Sequence, residues 1–182
     1  LILQTQTMKL EIYALTNIVM HVQQDLVLVA VVRQSKEGDK MDKGNIAELF
    51  GRGQDCGQIV VEHFANKIGV SKEEANRIAA AFGGGLGVGE TCGAVMGAMI
   101  VLGLKHGHNG PDDNERKGEM NEKRAEFLAL WNEKYGKVRC EVLLGNNIGT
   151  QEGLTKILDE GLLFSFCPSL VDDAIKMLEE LA

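Results

Sequence analysis

Four cysteines are the side chains of this chain best suited to chemistry, and each lies where the local sequence predicts the start of a helix: Cys56, Cys92, Cys140 and Cys167. A helix N-terminus offers unpaired backbone N–H groups and a partial positive charge, which favour a thiolate over a thiol. We therefore expect each thiol pKa to fall from its ordinary value toward neutrality. Four cysteines placed in this way predict a catalytic or metal-binding site built around sulfur.

The spacing of the cysteines limits the kind of site. They lie 36, 48 and 27 residues apart, and no C-x-x-C sequence occurs. This excludes the zinc-ribbon and thioredoxin signatures, so a common site must be assembled from separate helices. Two thiolates about 4 Å apart repel by about 4 kcal/mol at an effective dielectric constant of about 20, whereas a helix end supplies about 2 kcal/mol at most. Converging cysteines must therefore keep their protons, form disulfides, or bind zinc or a tetrathiolate iron–sulfur cluster.

A glycine-rich segment, residues 83–89, precedes the helix that begins near Cys92. No register of it matches the dinucleotide fingerprint G-x-G-x-x-G, and no strand is predicted before it. Residues 84–91 fit G-x-x-x-x-G-x-T, but Glu90 stands where a phosphate-binding loop has lysine, and its carboxylate would repel phosphate. A nucleotide site is therefore excluded. The segment instead lets backbone approach another element or a cluster closely, which makes Gly89 a candidate cofactor-binding residue.

Gly93 and Gly97 share one face of the helix that follows, with alanines beside them. Small residues four apart allow another helix to pack very closely, within the chain or across a homodimer. The same closeness would bring Cys92 within reach of a cysteine on the facing helix. Gly93 and Gly97 are therefore candidates for tight packing and for contact with a cofactor.

Three histidines and a glutamate are weaker candidates. His106 and His108 flank a predicted helix end, where a cationic, solvated histidine is favoured over a metal ligand. His63 lies on the apolar face of its helix and is interpreted as a core histidine. Glu90 precedes Cys92 by two residues and either favours its own helix start or accepts a proton from the thiol, the first role being preferred.

Apolar periodicity predicts an all-α fold after residue 40, a compact bundle of about six to seven helices with a glycine-rich loop. Residues 1–40 differ from the rest of the chain in pattern and charge. Residues 25–32 (DLVLVAVV) are typical of a strand, and the whole net charge of −7 lies after residue 40. We predict a four-cysteine helical domain over residues 41–182. Residues 1–40 are either a genuine N-terminal extension or a translated leader upstream of a true start at Met41.

Composition narrows the class of protein. A net charge of −7 with no basic run argues against a nucleic-acid partner. The longest apolar run, residues 92–104, is shorter than the roughly 20 residues of a membrane helix, so no membrane insertion is expected. Four cysteines are too few for a disulfide-dense secreted scaffold, and no signal-peptide pattern occurs. We therefore expect a cytoplasmic protein.

The cysteine-bearing segments resemble a known family. They are GQDC at residues 53–56, FGGGLGVGETCGAVMG at residues 82–97, YGKVRC at residues 135–140, and Cys167 followed by Val171 and Ala174. Together they resemble the C_GCAxxG_C_C family of redox-active proteins, named for its cysteine pattern, over about residues 47–178. The resemblance implies redox activity that uses all four cysteines. A similar domain in split-Soret cytochromes accompanies an iron–sulfur centre, but this chain has no C-x-x-C-H, so covalent haem is not implied.

Three hypotheses for function remain open. The first, which we prefer, is a redox protein in which Cys56, Cys92, Cys140 and Cys167 bind a metal or iron–sulfur centre. The second is a thiol–disulfide oxidoreductase in which pairs such as Cys56 and Cys92 cycle. The third is a non-catalytic helical interaction domain with inert, buried thiols, since cysteine is among the most buried residue types. The first two require a redox partner that the sequence does not identify.

Overall fold

This computed structural model describes residues 41–181. These residues form nine α-helices joined by turns and loops, and they contain no β-strand. In chain order they are α1 (Lys43–Gly51), α2 (Cys56–Phe64), α3 (Lys72–Ala79), α4 (Gly93–His106), α5 (Asn114–Tyr135), α6 (Cys140–Leu144), α7 (Gln151–Asp159), α8 (Leu162–Ser165) and α9 (Cys167–Leu181). The predicted all-α class is confirmed. The interpretation of residues 1–40 lies outside the described residues and stays a prediction.

Several helix boundaries follow from capping side chains that the sequence displays. Ser71 and Glu74 form a capping box at the start of α3. The Glu74 backbone N–H donates to Ser71 Oγ at 3.2 Å, and the Ser71 N–H donates to Glu74 Oε2 at 2.8 Å. At the other end of a helix, Gly136 terminates α5 in the left-handed region, with φ of 67°. Local signals of this kind were sufficient to place these ends.

The number of helices exceeds the predicted six to seven, partly because a short helix, α8, follows α7. Thr150 caps the start of α7 by accepting a hydrogen bond from the Gly153 N–H at 3.1 Å. Gly161 then enters the left-handed region with φ of 67°, which separates α7 from the four-residue α8.

The segment at residues 83–89 is irregular, as predicted. Gly85–Gly89 forms a turn, here called the glycine turn, in which the Glu90 N–H donates to the Gly85 carbonyl at 3.0 Å. Leu86 and Gly87 have non-helical backbone with positive φ, 60° and 70°, a region that glycine adopts without strain. The turn packs against α6.

The centre of the fold is α2, which packs against α3, α4 and α9, while α9 also contacts α1, α5 and α8. The largest fully buried side chains come from these helices and from α5 and α7: Trp131, Phe64, Phe127, Ile46, Ile59, Ile157, Leu178, Val60, Val61, Val171 and Pro168. Within residues 41–181, no helix has both the length and the apolar character that crossing a membrane requires.

The contact between α2 and α4 is close because both helices present glycine there. A Cβ atom added at Gly97 would lie 2.9 Å from the Gly57 carbonyl oxygen and 3.0 Å from Val60 Cβ. These distances are shorter than ordinary van der Waals contacts. The predicted role of the small-residue face in tight packing within the chain is therefore confirmed.

Gly97→Ala should lower the free energy of unfolding by about 1–3 kcal/mol, because the added methyl group meets the backbone of α2. Gly103→Ala in the same helix is the matched control, since no atom lies within 4 Å of its added Cβ. That variant gains helix propensity and should be stabilised by up to about 1 kcal/mol. Urea denaturation measures both, and equal effects at the two positions would contradict the packing argument.

Candidate functional site

All four cysteines line one cavity of about 180 Å³. Cys56, Cys140 and Cys167 are the first residues of α2, α6 and α9, and Cys92 is the residue that precedes α4. The predicted location at helix starts is therefore observed for each. Helix packing brings together four side chains that are 36, 48 and 27 residues apart along the chain. Their roles as catalytic or metal-binding residues stay predictions.

The rest of the cavity wall is largely apolar. It consists of Phe50, Leu143, Leu144, Ile148, Leu163, Phe164 and Leu170, together with Gly53, Gly84 and Asp55. Among the described residues that line the cavity, Asp55 alone carries a charged group. An apolar wall keeps the local dielectric low, so it strengthens every electrostatic interaction of the sulfur atoms.

Cys56 and Cys92 lie against each other at the contact between α2 and α4. A Cβ atom added at Gly93 would lie only 2.4 Å from Cys56 Sγ, so the Cys56 sulfur occupies space that any other residue at position 93 would fill. The two thiols share a hydrogen bond. The small-residue face therefore does bring Cys92 within reach of a cysteine on the facing helix, as expected.

Cys92 and Cys140 are linked through the backbone. An isolated antiparallel bridge joins Thr91 to Arg139. Next to it, the Cys92 N–H donates to the Val138 carbonyl at 2.7 Å and the Cys140 N–H donates to the Glu90 carbonyl at 2.6 Å. This bridge holds the starts of α4 and α6 side by side, so the two cysteines are positioned as a unit.

The charged side chains beside this backbone bridge form ion pairs with one another. Arg139 forms ion pairs with Glu90 at 3.0 Å and with Glu141 at 2.7 Å. The Glu90 carboxylate is half exposed and points to a neighbouring arginine, which supports the structural role preferred for it above. Among the hydrogen bonds of residues 41–181, the Glu90 carboxylate accepts from Arg139, and none joins it to the Cys92 thiol as a proton acceptor would require.

The cysteines differ in exposure. Cys92 and Cys140 are 4% and 7% exposed, whereas Cys56 and Cys167 are half-buried. Cys140 and Cys167 also share a small hydrophobic cluster with Leu144 and Ile157. The sulfur of Cys56 packs against Gly93 and Cys92, so Cys167 is the half-buried cysteine that molecules from solvent are expected to reach most easily.

The prediction that helix starts make these thiols acidic is wrong for three of them. The hydrogen bond with Cys92 and then burial raise the pKa of Cys56 well above its ordinary value, although the Gly57 backbone N–H acts in the opposite direction. Burial, followed by the charge of neighbouring groups, raises the pKa of Cys140 to about 11 and that of Cys167 to about 12. Removing a thiolate from water costs more than a helix end returns. The folded chain therefore favours neutral thiols.

The three glycines proposed as cofactor-binding residues have packing roles. Gly93 and Gly97 lie in the contact of α4 with α2. Gly89, with φ of 81°, faces Asn147 and Glu141, whose atoms would lie 2.9 Å and 3.0 Å from its added Cβ. None of the three lies among the described residues that line the cavity. A cofactor contact at these positions stays a prediction.

Sequence reasoning missed the apolar wall and Asp55 as parts of the site. Asp55 had a detectable signal, since it directly precedes Cys56 in the sequence. Leu143, Ile148 and Phe164 carried no comparable signal, because apolar residues in amphipathic helices do not reveal which cavity they face.

The histidines do not form a second site. The side chain of His106 is only 12% exposed and its Nδ1 lies 2.7 Å from Glu119 Oε1, so the prediction that it is solvated is wrong. His63 is 6% exposed and contacts Glu179, as expected for a core residue. Within the described part of the chain, no group of three or more His, Cys, Asp or Glu side chains is arranged to hold one metal ion.

Comparison with known proteins agrees with the geometry. The sequence model of the family described as "Putative redox-active protein (C_GCAxxG_C_C)" matches residues 54–181. The chain therefore belongs to this family. In this chain the described fold is all-α, and four cysteines line one cavity. No curated protein and no solved structure matches the chain.

The raised thiol pKa values make stability depend on pH. Above the ordinary value of 9.0 the unfolded thiols lose their protons while Cys140 and Cys167 retain theirs until about 11 and about 12. The folded state then binds more protons, so the free energy of unfolding should fall as pH rises from about 9 to about 11. Urea denaturation of the reduced, metal-free protein measures this decrease. Cys140→Ser removes one titrating thiol and should make this decrease smaller. An identical dependence of the free energy of unfolding on pH in that variant would contradict the prediction.

Proposed function

We propose that this protein is a redox protein that uses Cys56, Cys92, Cys140 and Cys167 together to hold an iron–sulfur centre. The observation that carries the proposal is that four thiols from four separate helices line a single cavity. A dithiol reaction needs two cysteines. A tetrathiolate centre accounts for all four.

The donor set fits such a centre. Thiolates are the soft ligands that iron–sulfur clusters use, and the cavity of about 180 Å³ is several times the roughly 30 Å³ that one water molecule occupies in the liquid. A cluster distributes its ligands over more than one iron atom, so cysteines that come from four separate helices are a donor set that it can use.

The chain supplies the environment of the centre. Four thiolates in an apolar cavity would repel each other, and the neutral thiols of the metal-free protein reflect that cost. Binding iron would compensate the negative charge and release the thiol protons, so loading should weaken as pH falls. The cluster, when bound, supplies one-electron exchange. The Gly57 N–H, which hydrogen-bonds the Cys56 sulfur, and the apolar wall would tune its potential.

The redox partner is unidentified, and a cytoplasmic location and a homodimer stay predictions. Since Cys167 is half-buried and the Cys56 sulfur is packed against Gly93, a partner would exchange electrons with the centre from the Cys167 side of the cavity.

The proposal predicts a coloured protein after anaerobic purification, with iron and acid-labile sulfide in stoichiometric amounts. Cys140→Ser should lower iron content and visible absorbance severalfold, because it removes one of four ligands. Val142→Ser is the matched control, since this residue of α6 is 48% exposed and does not line the cavity. Protein that stays colourless after anaerobic reconstitution with iron and sulfide would refute the proposal.

A second candidate function is favoured by the direct contact of Cys56 with Cys92. These two thiols could be oxidised to a disulfide, with two electrons passing to the disulfide bond of a partner, which is reduced to two thiols by the same two electrons and the two protons released. The raised pKa of Cys56 makes the thiolate scarce at neutral pH, which slows such an exchange. This is why the pair is the second choice.

The two candidates are separated by counting thiols in the metal-free protein before and after incubation with oxidised glutathione. The dithiol candidate predicts a loss of two thiols, which Cys56→Ser or Cys92→Ser abolishes and Cys140→Ser leaves unchanged. Loss of thiols that is insensitive to Cys56→Ser would exclude this pair as the reactive one.

A further inference from the structure

Helix α8, Leu162–Ser165, forms the most exposed part of the cavity wall. Both Leu163 and Phe164 line the cavity, and Phe164 is nevertheless 51% exposed. A side chain that lines a cavity and also faces solvent lies at the cavity mouth. Gly53, also exposed, belongs to the same wall, so the mouth lies between α8 and the segment that connects α1 to α2.

Helix α8 contributes less to the interior than α2 does. None of its four residues is buried, whereas α2 contributes Gly57, Ile59, Val60, Val61 and Phe64 to the interior. The helix begins after Gly161, whose φ is 67° and whose surroundings are open. Elements with few buried apolar contacts open locally at low free energy.

The position of α8 also couples it to the thiols. Cys167 begins α9 two residues after α8 ends, so a displacement of α8 would move the start of α9. Behind this wall Cys92 and Cys140 are buried, while Cys56 and Cys167 are half-buried. The Cys56 sulfur is packed against Gly93 and Cys92, so molecules that pass α8 would meet Cys167 first.

We infer that α8 is a gate for the four-cysteine cavity and that Phe164 determines which molecules reach the thiols. The inference rests on the proposed function only in taking this cavity as the working site. The gate admits small molecules in preference to large ones, because opening requires displacement of the Phe164 ring. It admits neutral or cationic species in preference to anions, because Asp55 is the charged side chain on the described lining.

The rate of cysteine alkylation in the reduced, metal-free full chain tests the gate. Phe164→Ala should increase the rate of modification by the bulky pyrene maleimide by about tenfold, while Phe164→Trp should decrease it. Leu158→Ala is the matched control, since Leu158 of α7 is 50% exposed and does not line the cavity. Mass mapping should show Cys167 modified before Cys92 and Cys140.

Two further measurements separate gating from general loosening of the fold. Iodoacetamide and iodoacetate have similar size but differ in charge, and the neutral reagent should react faster with the wild-type cavity after correction for their rates with a free thiol. Local opening of α8 should also give rates that depend little on low urea concentrations, whereas global unfolding gives a steep dependence.

The inference is overturned if Phe164→Ala reacts at the wild-type rate, or if all four cysteines react together with a steep dependence on urea. Should Phe164→Ala fail to fold, the slower labelling expected of Phe164→Trp decides the question. Because these experiments use no iron, their outcome is independent of whether the chain binds a cluster.

Discussion

The site depends on one close contact, the passage of α4 across α2 at Gly57, Gly93 and Gly97. Glycine at these positions lets backbone meet backbone, and the space left at Gly93 is filled by the sulfur of Cys56. Cys92 is the preceding residue, so the same contact places two thiols within hydrogen-bonding distance. A Cβ atom at position 93 would lie 2.4 Å from Cys56 Sγ and 2.6 Å from the Phe82 carbonyl oxygen, so any side chain there would displace the sulfur or the backbone beside it.

Around this contact the chain adds two further cysteines by different means. The backbone bridge between Thr91 and Arg139 holds Cys140 beside Cys92. Cys167 arrives with α9, which packs on α2 and α4 and thereby closes the cavity. The contact of α4 with α2 depends on glycines that have no side chain, the bridge at Thr91 depends on backbone hydrogen bonds, and the contact of α9 depends on hydrophobic packing. All three must form before four thiols share one cavity.

Burial then decides the chemistry of those thiols. A helix start stabilises a thiolate by about 2 kcal/mol at most, but desolvation and neighbouring negative charge act in the other direction and dominate at Cys56, Cys140 and Cys167. Chemistry that needs thiolates at this site must therefore bring a compensating positive charge. This requirement is the physical reason for preferring the proposed metal cluster to free thiolate chemistry.

Local features of the sequence determined the helix starts at the cysteines, the capping box at Ser71 and the small-residue face of α4, because each depends on hydrogen bonds or spacing within a few residues. The cysteine pattern also indicated the family, which the match over residues 54–181 confirms. Only the tertiary structure decided which cysteines touch, that His106 is largely buried, and that Phe164 lies at the cavity mouth. Those properties arise from packing between distant segments, and burial reverses the pKa shift that local reasoning predicted because desolvation depends on every neighbour that the fold brings close.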